Sequence, residues 1–164
     1  MSRRPRALTV PQRAVIDPSL ILRALTLSDD ESRGLRRAWQ QGLLRPLVSP
    51  DLAATLMRAL AYPALRLSEE EQQELLADFL PFVEVVKPVA SARASRATGA
   101  PLAHQMLVEL ALQGDATVLL SDDMVLSDWS TNSRSQAARQ LCTVRAMSAW
   151  FQVLPPSRRD AVLC

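Results

Sequence analysis

The chain has 164 residues, 48% apolar and 22% charged, with 19 Lys and Arg against 17 Asp and Glu for a formal charge of +2. This length suits one domain of about 100 to 200 residues, and the composition excludes global disorder. No apolar run approaches the roughly 18 to 20 residues needed to cross a bilayer, and the two distant cysteines, Cys142 and Cys164, cannot form a disulfide framework, so a cytoplasmic protein with reduced thiols is expected.

Residues 1–12 hold Pro5 and Pro11 among Arg3, Arg4 and Arg6 and show no lasting periodicity, which reads as a flexible basic arm. From Arg13 the chain reads as one domain to residue 154. Ala14-Val15-Ile16 is a short buried strand stopped by Asp17-Pro18, since proline cannot donate to a ladder. Leu20 to Leu27 is a first helix. Ser28-Asp29-Asp30-Glu31 then reads as a capping box opening a second helix that Gly42 closes.

Leu43 to Val48 is a second strand, followed by Ser49-Pro50-Asp51, where a cap, a first-turn proline and an acid start a helix reaching about Leu60. Ser68-Glu69-Glu70-Glu71 is a further capping box before Leu75, Leu76, Phe79 and Leu80 at helical spacing. Val83 to Val86 forms a third strand. The small, basic stretch Ala90 to Gly99 is a loop, and Leu102 to Ala111 an amphipathic helix closed by Gly114.

Thr117 to Leu120 is a fourth strand, ended by Ser121-Asp122-Asp123. Asp128 to Gln136 is polar and expected to be mobile, Leu141 to Val144 makes a last strand, Arg145 to Leu154 a last helix, and residues 155–164 a tail. Strands alternating with helices predict a three-layer α/β fold with a largely parallel sheet of four or five strands. In such sheets ligands lie outside the carboxyl ends of the strands, which puts Asp17 and Asp122-Asp123 at one crevice.

The segments Arg13-Ala14-Val15-Ile16-Asp17-Pro18-Ser19, Val48-Ser49-Pro50-Asp51-Leu52, the Leu-Ser-Glu-Glu-Glu helix start at Leu67 and Ala111-Leu112 through Leu120-Ser121-Asp122-Asp123 together resemble the PIN-domain family, in its bacterial toxin-antitoxin branch, over about residues 13–154. The resemblance implies a Rossmann-like PIN fold and a ribonuclease in which acids hold Mg²⁺ or Mn²⁺, the metal activating water against the phosphate. It implies RNA as substrate class, and an antitoxin-like protein or a second copy of the chain as partner. It makes Asp17 the first acid and Asp123, with Asp122 beside it, the last, so Asp17 and Asp123 are the candidate catalytic residues and Asp17, Asp122 and Asp123 the candidate metal ligands.

The family's two middle acids fall on Thr55 and on His104 or Gln105, its first-strand Asn on Ser19, and its acid-rich loop on a segment carrying Arg93 and Arg96. A hard divalent cation with two carboxylates keeps most of its water shell, so weak or absent metal binding is expected. Asp51, one turn before Thr55, and Glu109, one turn after Gln105, are candidate substitutes. Arg93 and Arg96 favour an anion and are candidate nucleic-acid contacts.

Three functions remain open at this point. One is a toxin-type PIN protein with a degraded nuclease site and a residual RNA-binding or regulatory role. Another is a metal-dependent endoribonuclease using Asp17, Asp122, Asp123 and a non-standard acid. The third is a protein-binding or dimerisation module. His104, the only histidine, reads most simply as a surface residue at a helix start, and Trp39, Phe79, Phe82 and Trp150 as core. Trp129 can equally stack on a base or anchor its loop. The cations are nearly all Arg, Lys87 being the only Lys, a bias that codon usage explains more simply than phosphate recognition.

Overall fold

The computed structural model describes residues 11–87 and 99–164. Five strands form one parallel sheet in the order β3-β2-β1-β4-β5: β1 (Gln12–Ile16), β2 (Leu44–Val48), β3 (Glu84–Val85), β4 (Val118–Leu120) and β5 (Thr143–Arg145). Burial is deepest in the middle of the sheet: β4 is buried throughout, whereas the outer strands β3 and β5 are partly exposed. Ala14, Val15 and Ile16 are at most 1% exposed although they alternate between faces, so β1 is covered by helices on both sides.

Among the described residues the α-helices are α1 (Pro18–Thr26), α2 (Asp30–Gln40), α3 (Pro50–Leu60), α4 (Glu69–Ala77), α5 (Gln105–Gln113), α6 (Met124–Asn132), α7 (Gln136–Gln140), α8 (Met147–Val153) and α9 (Pro156–Leu163). Local caps set most of their starts. Ser49 accepts from Leu52 N, and Ser68 and Glu71 complete the expected capping box. The box expected at Ser28 does not form. Asp29 is the cap of α2, its carboxylate accepting from both the amide and the hydroxyl of Ser32, a charged acceptor in place of the Ser28 hydroxyl.

Gly42, at φ 78°, closes α2 as expected: its N–H reaches Trp39 O and the Leu43 N–H reaches Ala38 O, the paired bonds of a Schellman end. At the end of α5 the left-handed position belongs instead to Asp115, at φ 50°, and the Ala116 N–H bonds Ala111 O. Gly114 matters for space, since a Cβ there would lie 2.7 Å from Leu47 Cδ1.

Three segments depart from the sequence reading. Residues 128–136, expected to be mobile, lie largely in α6 and at the start of α7, because Asp123 caps α6 and Leu126 is fully buried on it. The residues read as a tail form α9, whose Val162 is 0% exposed and which packs on α2. Phe82, expected in the core, is 37% exposed, whereas Trp39, Phe79 and Trp150 are buried. Among the described residues no helix is long and apolar enough to cross a membrane.

From β1 the chain moves outward to β2 and β3, then returns to the other side of β1 for β4 and β5. Neighbouring connections thus diverge between β1 and β4, and the crevice opens at the carboxyl ends of these two strands.

Candidate functional site

Asp17 is the first residue past β1, and its N–H donates to Leu120 O at 2.9 Å, which fastens it to the end of β4. Its carboxylate both caps a helix and faces the crevice. Oδ1 accepts from the Ser19 N–H at 3.0 Å and the Ser19 hydroxyl at 2.9 Å, starting α1 with Pro18 in its first turn. Oδ2 accepts from the Ser121 hydroxyl at 2.9 Å. Cap and site coexist because the two oxygens point to different partners.

Ser121 is the hub of the crevice. It is 2% exposed, its N–H donates to Arg145 O, and its hydroxyl oxygen accepts from the Asp123 N–H at 3.2 Å while giving its proton to Asp17. Sequence reasoning assigned Ser121 no role. The available signal was its place between the last strand residue and the acid pair.

The two neighbouring acids diverge. Asp123 caps α6, its Oδ1 accepting from the Val125 N–H at 2.8 Å, and its Oδ2 lies 3.0 Å from His104 Nε2. Asp122 faces the other way: Oδ1 accepts from the Met147 N–H at 2.9 Å, and Oδ2 pairs with Arg23 at 3.2 Å. It therefore caps α8, whose own N-cap residue, Ala146, offers no side-chain oxygen. Asp17 and Asp123 meet at Ser121, whereas the Asp122 carboxylate is engaged outside that cluster.

His104 departs from the surface reading. It is 7% exposed, in the single turn Leu102–His104 that leads into α5, and its ring is held against Asp123. Close in the chain to His104 and Asp123, the apolar residues Leu102, Met124 and Val125 are exposed. Trp129 is partly buried against the core and anchors α6. Gln105 donates to Ala100 O and takes no part in the cluster of Asp17, Ser121, Asp123 and His104.

On the α3 side, Thr55 returns its hydroxyl to Asp51 O at 2.9 Å and accepts from Arg58 at 3.3 Å. Burial, followed by the charge of Asp51, holds the Glu109 carboxyl above its ordinary range, so the two substitute acids of the sequence reading feel one another across α3 and α5. Arg93 and Arg96, like Arg3, Arg4 and Arg6, lie outside the described residues.

The donor set does not fit a hard divalent cation. Mg²⁺ and Mn²⁺ favour several oxygen ligands, and two carboxylates already engaged by hydroxyls, amides and an imidazole leave them poorly served. Among the described residues no group of three or more His, Cys, Asp or Glu side chains is arranged to hold a metal ion.

A family model described as "PIN domain" matches residues 13–125, a span that includes Asp17, Thr55, His104 and Asp123. Comparison with curated proteins finds no match. Among solved structures, the crystal structure of VapBC2 from Rickettsia felis bound to a DNA fragment from their promoter is similar in fold, with a TM-score of 0.54 and 13% identity, over 82% of this chain and 98% of that one.

Proposed function

The chain belongs to the PIN-domain family, and on that premise we propose that it is a toxin-type member whose nuclease site has been degraded, leaving an RNA-binding or regulatory module. The observation that carries this reading is the pairing of His104 with Asp123 at 3.0 Å, a donor standing at one of the two positions where the family's acid is expected. With Asp122 engaged by α8 and Arg23, and Thr55 engaged by Asp51 O, the crevice keeps Asp17 and Asp123 as its carboxylates.

RNA affinity in this reading comes from Arg93 and Arg96 and from the arginines of residues 1–12, because phosphate contacts dominate non-specific binding and release counterions. The likeness in fold to VapBC2 supports an antitoxin-like protein as partner. A second copy of the chain is the alternative.

The test is an RNA cleavage assay with Mn²⁺ and with chelator, run beside RNA binding at low salt. The expected result is no chelator-sensitive cleavage, with binding that weakens and loses salt dependence when Arg93 and Arg96 become Ala. Chelator-sensitive cleavage lost on Asp17→Asn overturns the reading. Absence of RNA binding at low salt shifts it to a protein-binding module.

One observation favours an active enzyme as the second reading. Burial, and after it the charge of Asp51, raises the Glu109 pKa, and these two acids on α3 and α5 are the pair from which a non-standard metal ligand would come. In that case Mn²⁺-dependent cleavage is present in the wild type and lost on Glu109→Gln.

A further inference from the structure

We infer that the His104 imidazole takes the place of a divalent cation as the partner of Asp123, so that the crevice is held together by an internal hydrogen-bond donor. The inference rests on the reading of the crevice as a degraded PIN site and adds what replaced the metal.

Asp17 and Asp123 converge on Ser121, one through its carboxylate and the other through its N–H, which brings two anionic side chains to the ends of adjacent strands. Charge on such a pair is offset by a cation, by donors or by water, and the Asp123 side chain is 43% exposed. Here every carboxylate oxygen has a donor. Asp17 Oδ1 has the Ser19 amide and hydroxyl, and Oδ2 the Ser121 hydroxyl; Asp123 Oδ1 has the Val125 amide, and Oδ2 has His104. The N-terminal ends of α1 and α6, which these two acids cap, add positive partial charge.

Among the described residues no buried side-chain N or O atom lacks a hydrogen-bond partner. Since a carboxylate only accepts, the bond requires the proton on Nε2. The His104 side chain is 9% exposed, so burial holds the ring in place, and the Asp123 contact ties the start of α5 to the end of β4. An acid at position 104 would exchange this donor for an acceptor and create a demand for a cation.

The experiment compares wild type, His104→Asp and His104→Gln by thermal unfolding in chelator and in millimolar Mg²⁺ or Mn²⁺. The wild-type midpoint is expected to be the same in all three conditions. His104→Asp should unfold earlier in chelator and recover by about 5 °C or more when Mn²⁺ saturates the new site. His104→Gln, whose amide can stand near Nε2, should behave as wild type. A wild-type midpoint that rises with Mn²⁺, or a folded His104→Asp with no divalent response, overturns the inference.

A measurement on the wild type alone covers a variant that fails to fold. His104 is the only histidine, so its ¹⁵N imidazole signals are unambiguous. They should report a protonated Nε2 and stay sharp at stoichiometric Mn²⁺. Paramagnetic broadening that Asp17→Asn abolishes would place the metal in the crevice and overturn the inference even if no RNA is cleaved. Chelator-sensitive RNA cleavage with sharp His104 signals would instead overturn the degraded-site reading and leave the imidazole's role standing.

Discussion

Replacing Asp122 separates a structural acid from a metal ligand, because the two roles respond differently to Asn and Ala. In the structure Oδ1 accepts from the N–H of Met147, a 0% exposed residue at the start of α8. Removing this acceptor leaves the buried Met147 amide unsatisfied, a single loss that costs about 2 kcal/mol, the upper end of measured N-cap effects. The Arg23 ion pair contributes little, since its side chains are 40% and 45% exposed and such pairs give about 0.2 to 0.5 kcal/mol after screening. Asp122→Ala should therefore destabilise the protein by about 2 kcal/mol, which for a domain of this size lowers the unfolding midpoint by about 4 to 8 °C. Asp122→Asn keeps an acceptor oxygen at the Met147 amide and loses only the ion pair, so its cost should stay below about 0.5 kcal/mol. Urea unfolding followed by circular dichroism, with equal m-values across the three proteins, measures both differences. The reasoning is refuted if Asn costs as much as Ala, or if Ala is neutral.

Two further perturbations address the parts of the structure that the sequence reading treated as a tail and as a simple strand cysteine. Deleting residues 155–164 removes the fully buried Val162 and uncovers Phe151 and the face of α2 at Gly34, against which Leu163 packs; a loss of about 2 to 3 kcal/mol is expected, read by calorimetry as a lower midpoint, and an unchanged midpoint would show that α9 adds nothing to the core. Burial pushes the Cys142 thiol up to about 11, whereas Cys164 is exposed, so a disulfide reagent at pH 8 should modify one thiol fast and the second only on unfolding. Because the folded pKa lies above the unfolded one, the native state binds the extra proton between about pH 9 and 11; stability should fall across that window, and Cys142→Ala should flatten the fall.

The sequence by itself determined the features that short-range physics controls. The capping box at Ser68, the cap and proline at Ser49-Pro50, and Gly42 after α2 each act within a few residues, and all three are found where the pattern puts them. The apolar runs before Asp17 and Ser121 give the two central strands, and parallel topology brings their carboxyl ends together. Local pattern is less decisive where neighbours both suit an end: it points to Ser28 as the cap of α2, a place Asp29 takes, and to Gly114 at the end of α5, where Gly114 is the cap but the left-handed position is that of Asp115.

Tertiary structure alone decided what the candidate site is made of. Adjacent side chains leave the backbone in different directions, so which of Asp122 and Asp123 enters the crevice depends on distant partners, Arg23 and Met147 for one and His104 for the other. Burial of His104 depends on how α5 meets the end of β4, and nothing within a turn of it in the chain encodes that contact. Ser121 acquires its role because β1 and β4 are neighbours, placing its hydroxyl against a residue 104 positions earlier. Residues 128–136 and 155–164 are polar enough to read as loop and tail, yet Leu126 and Val162 are fully buried, and packing against an existing core orders helices that intrinsic propensity leaves undecided.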